Sequence, residues 1–146
     1  MMKKINNKGF TLVEVLAVLV ILSAIMAIAL PSITSSMERN KSKQDESKKE
    51  MLAAFAEIYV ADHRNGLYNW MSANGNRVEC FIKVDTLRNE GLLSDDADKD
   101  SNGNWLNGNI YFNRTKNLYV YSDNLKFEIE KDNFVTLTNA DECNLS

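Results

Sequence analysis

Histidine, proline and cysteine are scarce in this sequence, and each scarcity removes a class of function. There is one histidine, His63, one proline, Pro31, and two cysteines, Cys80 and Cys143, with no CxxC pair. Sites built from nitrogen and sulfur ligands need clustered His and Cys at short spacing, so a zinc-type centre is excluded. His63 has no companion base or nucleophile motif, and no Walker loop occurs, so the chain is not read as an enzyme. Cations are also limited: 17 Lys and Arg stand against 20 Asp and Glu, a net charge of −3, with the acids concentrated after Asp85. Nothing forms the cluster of Lys and Arg that displaces counterions from a phosphate backbone, so charge alone argues for no nucleic-acid partner. Internal repeats and low-complexity tracts are absent.

What is present is unevenly spread. From Phe10 to Leu30 the only charge is Glu14, while the mean hydropathy of the whole chain is only −0.32. An apolar N-terminal helix and a polar body follow. A helix of this stretch is about 32 Å long, close to the roughly 30 Å hydrocarbon thickness of a bilayer. Lys3, Lys4 and Lys8 precede it without an acid, a flank that is held on the cytoplasmic side and directs the rest of the chain outward. A secretory signal would end its apolar run with a small-x-small cleavage site, whereas Ala24, Ala27 and Ala29 match that pattern only loosely. A carboxylate at Glu14, inside such a helix, costs a few kcal/mol to bury and marks a partner or a function.

The run Lys8-Gly9-Phe10-Thr11-Leu12-Val13-Glu14, followed by about 16 apolar residues, resembles the class III signal of type IV pilins and pseudopilins. In that family a membrane prepilin peptidase cuts after the glycine and methylates the new N-terminus. The resemblance implies Gly9 as the recognition residue and Phe10 as the methylated terminus. It implies for Glu14 an assembly role, pairing with the Phe10 amine of an adjacent subunit, where a misregistered neighbour would leave a buried charge unpaired. Pro31 falls where many members have a helix proline, and a kink in a continuous helix is expected there. The short leader is similar to the type IVa and pseudopilin branch. The implied partners are other pilin subunits, the prepilin peptidase, the cytoplasmic membrane and the assembly platform. The implied location is a single-pass membrane protein with its head outside, then a surface filament or the periplasm or cell wall. The implied function is a structural subunit of a type IV pilus or pilus-like filament. The alternatives are a pseudopilin of a type II secretion or competence DNA-uptake machine, and an uncut, membrane-anchored extracellular binding domain.

The expected organisation is a leader over 1–9, an assembly helix over 10–31, its amphipathic continuation over 32–62, and a globular α+β head over 63–146. The helix from Phe10 to about Asp62 would be about 80 Å long. Glu38 to Glu50 reads as a solvated helical face with pairs such as Asp45 with Lys49. Met51, Leu52, Phe55, Ile58 and Tyr59 form the stripe expected to meet the head. Asn65-Gly66 is expected to end the helix, Leu67–Val78 to be a loop, and Cys80–Val84 a strand. Asp85 is expected to cap a short helix stopped by Gly91. Alternating runs at 108–113, 118–121, 125–131 and 134–137 predict an antiparallel meander packed on Phe55 and Tyr59. The result is a long helix laid on a small sheet, α+β.

Two features remain. In an exported domain Cys80 and Cys143 favour a disulfide that pins the C-terminal tail, whereas a compartment that does not oxidise leaves both reduced. From Asp98 the chain reads D-x-D-x-N-G, the opening half of an EF-hand loop, making Asp96, Asp98, Asp100 and Asn102 candidate calcium ligands. The twelfth position is Asn109 rather than Glu, and the competing reading is a solvated acidic turn.

Overall fold

The computed structural model describes residues 9–94 and 96–145. Residues 1–8, with Lys3, Lys4 and Lys8, and also Asp95 and Ser146, lie outside the described residues. Helix α1 runs Leu12–Asp62, and the chain divides into two compact units, one up to Asn40 and one from Lys41.

In the first unit the large apolar side chains from Leu12 to Met37 are exposed. A helix that is apolar all round is stable only where water is excluded, and its most apolar window reaches a mean hydropathy of 2.8. Pro31 lies within the helix and has no N–H to give the carbonyl four residues back. Hydroxyls cluster beside it: Thr34 donates to the carbonyls of Leu30 and Pro31, and Ser35 and Ser36 both donate to that of Ser32. Each offers a carbonyl an alternative donor to the backbone amide, which loosens a helix locally.

The second unit holds the rest of α1, then α2 (Arg64–Ala73), β1 (Glu79–Lys83), α3 (Val84–Asn89), β2 (Asn109–Asn113) and β3 (Leu118–Ser122). A hairpin, β4 (Lys126–Glu130) and β5 (Asn133–Thr136), and a 3-10 turn at Asn139–Asp141 complete it. Strands β1, β2 and β3 form an antiparallel sheet in that order, with Phe81 opposite Tyr111 and Tyr111 opposite Val120. The period-2 alternation of the strands serves two cores. Cys80, Ile82, Ile110 and Phe112 pack with Leu52, Ala56, Tyr59 and Val60 of α1, while Phe81 and Tyr111 pack with Phe127 and Leu137 beneath the hairpin. Leu52 is fully buried, which contributes about 2 kcal/mol relative to exposure.

The class is α+β, and several details differ from the sequence expectations. The buried stripe of α1 is Leu52, Ala56, Tyr59 and Val60, while Met51 and Ile58 stay exposed. The small Ala56 lets the sheet approach where a larger side chain would hold it off. Gly66 lies inside α2 rather than ending a helix, because the backbone of Leu145 passes directly over it and a Cβ would meet that carbonyl. Leu67 and Met71, four apart, are the apolar face that makes 64–73 helical instead of a loop. Helix α3 starts at Val84, with Asp85 in its first turn bonded to Arg88 rather than capping. The expected single meander is two sheets, since β4 and β5 pair only with each other. Asp45 and Lys49 do not pair. Asp45 accepts from the Ser101 amide at 2.7 Å, and Lys49 lies 3.6 Å from Asp123.

Candidate assembly site

Gly9 and Phe10 precede the first turn of α1, and Phe10 is 90% exposed. Thr11 and Glu14 close a reciprocal pair over the helix start. The Thr11 amide donates to Glu14 Oε2 at 3.1 Å, and the Glu14 amide donates to Thr11 Oγ1 at 3.3 Å. This is a capping box, Thr at the cap and Glu three residues on, which satisfies two of the otherwise orphaned amides. Glu14 therefore has a local task that the sequence reading missed, although the Thr-x-x-Glu spacing before an apolar run signals it. Deeper in the same unit, Ser23 keeps its hydroxyl on the Leu19 carbonyl at 2.7 Å, so it presents no unsatisfied donor to an apolar surrounding. Pro31 lies further along the helix and makes no part of the Thr11–Glu14 box.

Residues 4–30 match the family described as prokaryotic N-terminal methylation motif. The N-terminus carries that motif. The chain is 38% identical over 58 residues to competence protein ComGC of Bacillus subtilis strain 168, covering 40% of this chain and 59% of that protein. It is 34% identical over 58 residues to the ComG operon protein 3 homolog of Bacillus licheniformis, covering 60% of it. It is 40% identical over 58 residues to competence protein ComGC of Halalkalibacterium halodurans, covering 57% of it. The chain thus spans less than two thirds of the length of these relatives. No solved structure matches it.

The other singled-out residues lie in the body. Cys80 in β1 and Cys143 after the 3-10 turn are joined as a disulfide, with Cα atoms 5.3 Å apart. The acidic loop is tied internally rather than open to a cation. Asp98, 3% exposed, is paired with the Arg88 guanidinium. Asp96 pairs with Lys99 at 2.9 Å, and that ammonium holds its carboxyl below the usual range. Asp100 accepts from the amides of Asn104 at 2.8 Å and Asn102 at 2.9 Å, which lowers its pKa as well. Asn102 contributes that backbone amide and Gly103, at φ 83°, makes the turn. Among the described residues no three His, Cys, Asp or Glu converge as metal ligands. A calcium ion takes six or more oxygens, and here it would have to displace the protein donors that already hold Asp96, Asp98 and Asp100. Arg88 is the residue that the motif reading omitted, and nothing in the local pattern pointed to it. The sequence holds two triplets of the N-x-Ser/Thr glycosylation pattern, Asn113-Arg114-Thr115 and Asn144-Leu145-Ser146. Asn113 is buried and bonded to Tyr111 Oη and the Lys116 amide, and Ser146 lies outside the described residues.

Proposed function

We propose that this chain is a structural subunit that assembles through its apolar helix into a type IV pilus-like filament, after a cut between Gly9 and Phe10. The match of residues 4–30 to the N-terminal methylation motif carries the proposal. Before assembly the chain is membrane-anchored by the same helix, with its body outside. In the filament Glu14 exchanges its Thr11 amide for the Phe10 amine of a neighbouring subunit. A charged donor replaces a neutral one where the dielectric is low, and this favours the exchange. A second reading, a subunit of a competence machine, is supported by the similarity to proteins named for competence.

The test is mass spectrometry of the mature chain together with shear-released filaments from Glu14→Ala and Thr11→Val cells. Expected are a chain beginning at N-methylated Phe10, and a Glu14→Ala chain that is cut yet missing from filaments. Thr11→Val loses only one half of the cap, about 1 kcal/mol, and should still assemble. An uncut wild-type chain, or abundant normal filaments from Glu14→Ala, overturns the proposal.

A further inference from the structure

Asparagine followed by glycine occurs four times, at Asn65-Gly66, Asn74-Gly75, Asn102-Gly103 and Asn107-Gly108. Glycine is free enough to turn its own amide back on the preceding side chain, so each pair can close a succinimide unless the fold holds it. Three of them are held. Asn65-Gly66 lies in the first turn of α2, where the Leu145 carbonyl packs directly on Gly66. The Gly103 amide donates to the Asp100 carbonyl at 3.0 Å. Gly108 is buried and its backbone is hydrogen-bonded to the Tyr121 phenol, while Asn107 Oδ1 accepts from Arg88 Nη2 at 3.2 Å. Asn74-Gly75 differs. Both residues are exposed in the turn between α2 and β1, Gly75 stands at φ 79°, and among the described residues its amide has no hydrogen-bond partner. Asn74 itself closes α2. Its amide donates to the Trp70 and Met71 carbonyls at 3.1 and 3.2 Å, and its Nδ2 donates to the Trp70 carbonyl at 2.7 Å.

We propose that Asn74 is a self-modification site, where the exposed Asn74-Gly75 turn deamidates well ahead of the other three pairs and loosens the end of α2. The Gly75 nitrogen attacks Asn74 Cγ. A C–N bond forms, the Cγ–Nδ2 bond breaks, and Nδ2 leaves as ammonia with the proton given up by the Gly75 amide. Water then opens the succinimide at either carbonyl and leaves aspartate or isoaspartate. Either product carries a carboxylate where an amide donor stood. It cannot donate to the Trp70 carbonyl, and it sets a negative charge at a helix C-terminus, beside the negative end of the dipole. The body also gains one negative charge on a net −3. The reaction needs only water, and it does not depend on what the chain assembles into.

The full chain in an uncharged detergent is incubated in warm, mildly alkaline buffer, and peptide mapping by mass spectrometry follows each asparagine over time. Asn74 should convert at least about tenfold faster than Asn65, Asn102 and Asn107, whose reaction waits on local opening of the fold. In denaturant with the disulfide intact, the four pairs should convert at similar rates, because the same dipeptide is then free at each. Asn74→Gln, which needs a larger and slower-forming ring, should remove the leading product and leave the other three as they were. Asn74→Asp, which has the charge of the product, should melt below wild type. A folded chain in which Asn65, Asn102 or Asn107 converts first, or in which all four convert at one rate, overturns the proposal. An Asn74→Asp chain that melts with wild type overturns the loosening of α2.

Discussion

Asp141 and Glu14 are both carboxylates that receive the amide at the start of a helical turn, and burial separates their consequences. Glu14 is exposed in the single chain, so its bond to Thr11 is exchangeable. Asp141 is 5% exposed and takes the Thr138 amide at 2.7 Å, the Thr138 hydroxyl at 3.0 Å and the Arg77 guanidinium. The Thr138 amide, with Arg77 adding to it, holds the Asp141 carboxyl below the ordinary range. A pKa lowered on folding stabilises the fold above the unfolded value, near 4, and that contribution is lost as pH falls through the folded value. Wild type should therefore lose melting temperature faster below about pH 4 than Asp141→Asn does. At neutral pH Asp141→Ala should cost about 2 kcal/mol in a denaturant melt, since it leaves Thr138 and Arg77 without their acceptor. Burial acts on the phenols in the opposite sense, pushing Tyr111 up to about 12, so it stays a donor to Glu79 at 2.7 Å.

The C-terminal tail is an element held by three kinds of contact. The Cys143 amide donates to the Phe81 carbonyl at 2.9 Å, its sulfur is bonded to Cys80, and Leu145 is buried over Gly66. Closing a loop across a sequence separation of 63 restricts the unfolded chain by about 4 kcal/mol on the chain-entropy account. Reductant, or Cys80→Ser with Cys143→Ser, should lower stability by up to that amount. Gly66→Ala should also destabilise with the disulfide intact, because its methyl displaces the Leu145 backbone. Thermal melts of the full chain in detergent check both. The strands and their approximate limits were legible from alternation, because period 2 is local. Helix α2 was not. Its asparagine, glycine and tyrosine suggest a loop, and only the tail passing over Gly66 and the core beneath Leu67 and Met71 make it a helix. The polar stretch of α1 reads as solvated, yet Asp45 and Lys48 bond the 99–101 loop, contacts whose partners lie more than 50 positions away.

At the scale of the molecule, one unit demands an apolar surrounding and the other water. The unprocessed chain should stay with membranes through a carbonate wash, and Ile21→Lys, a cost of about 3 kcal/mol near the helix centre, should release a measurable fraction. The sequence by itself determined the N-terminus: the apolar run, its cationic flank, Gly9-Phe10 and Glu14 are contiguous, and hydropathy and spacing act along the chain. It determined α+β for the same reason. Tertiary structure decided what depends on distance through space: that Cys80 meets Cys143, that Arg88 takes the Asp98 carboxylate from the EF-hand-like loop, and that Arg114 lies over the Tyr68 ring. A net charge of −3 sums over the whole surface, whereas recognition depends on which charges the fold leaves together and unpaired.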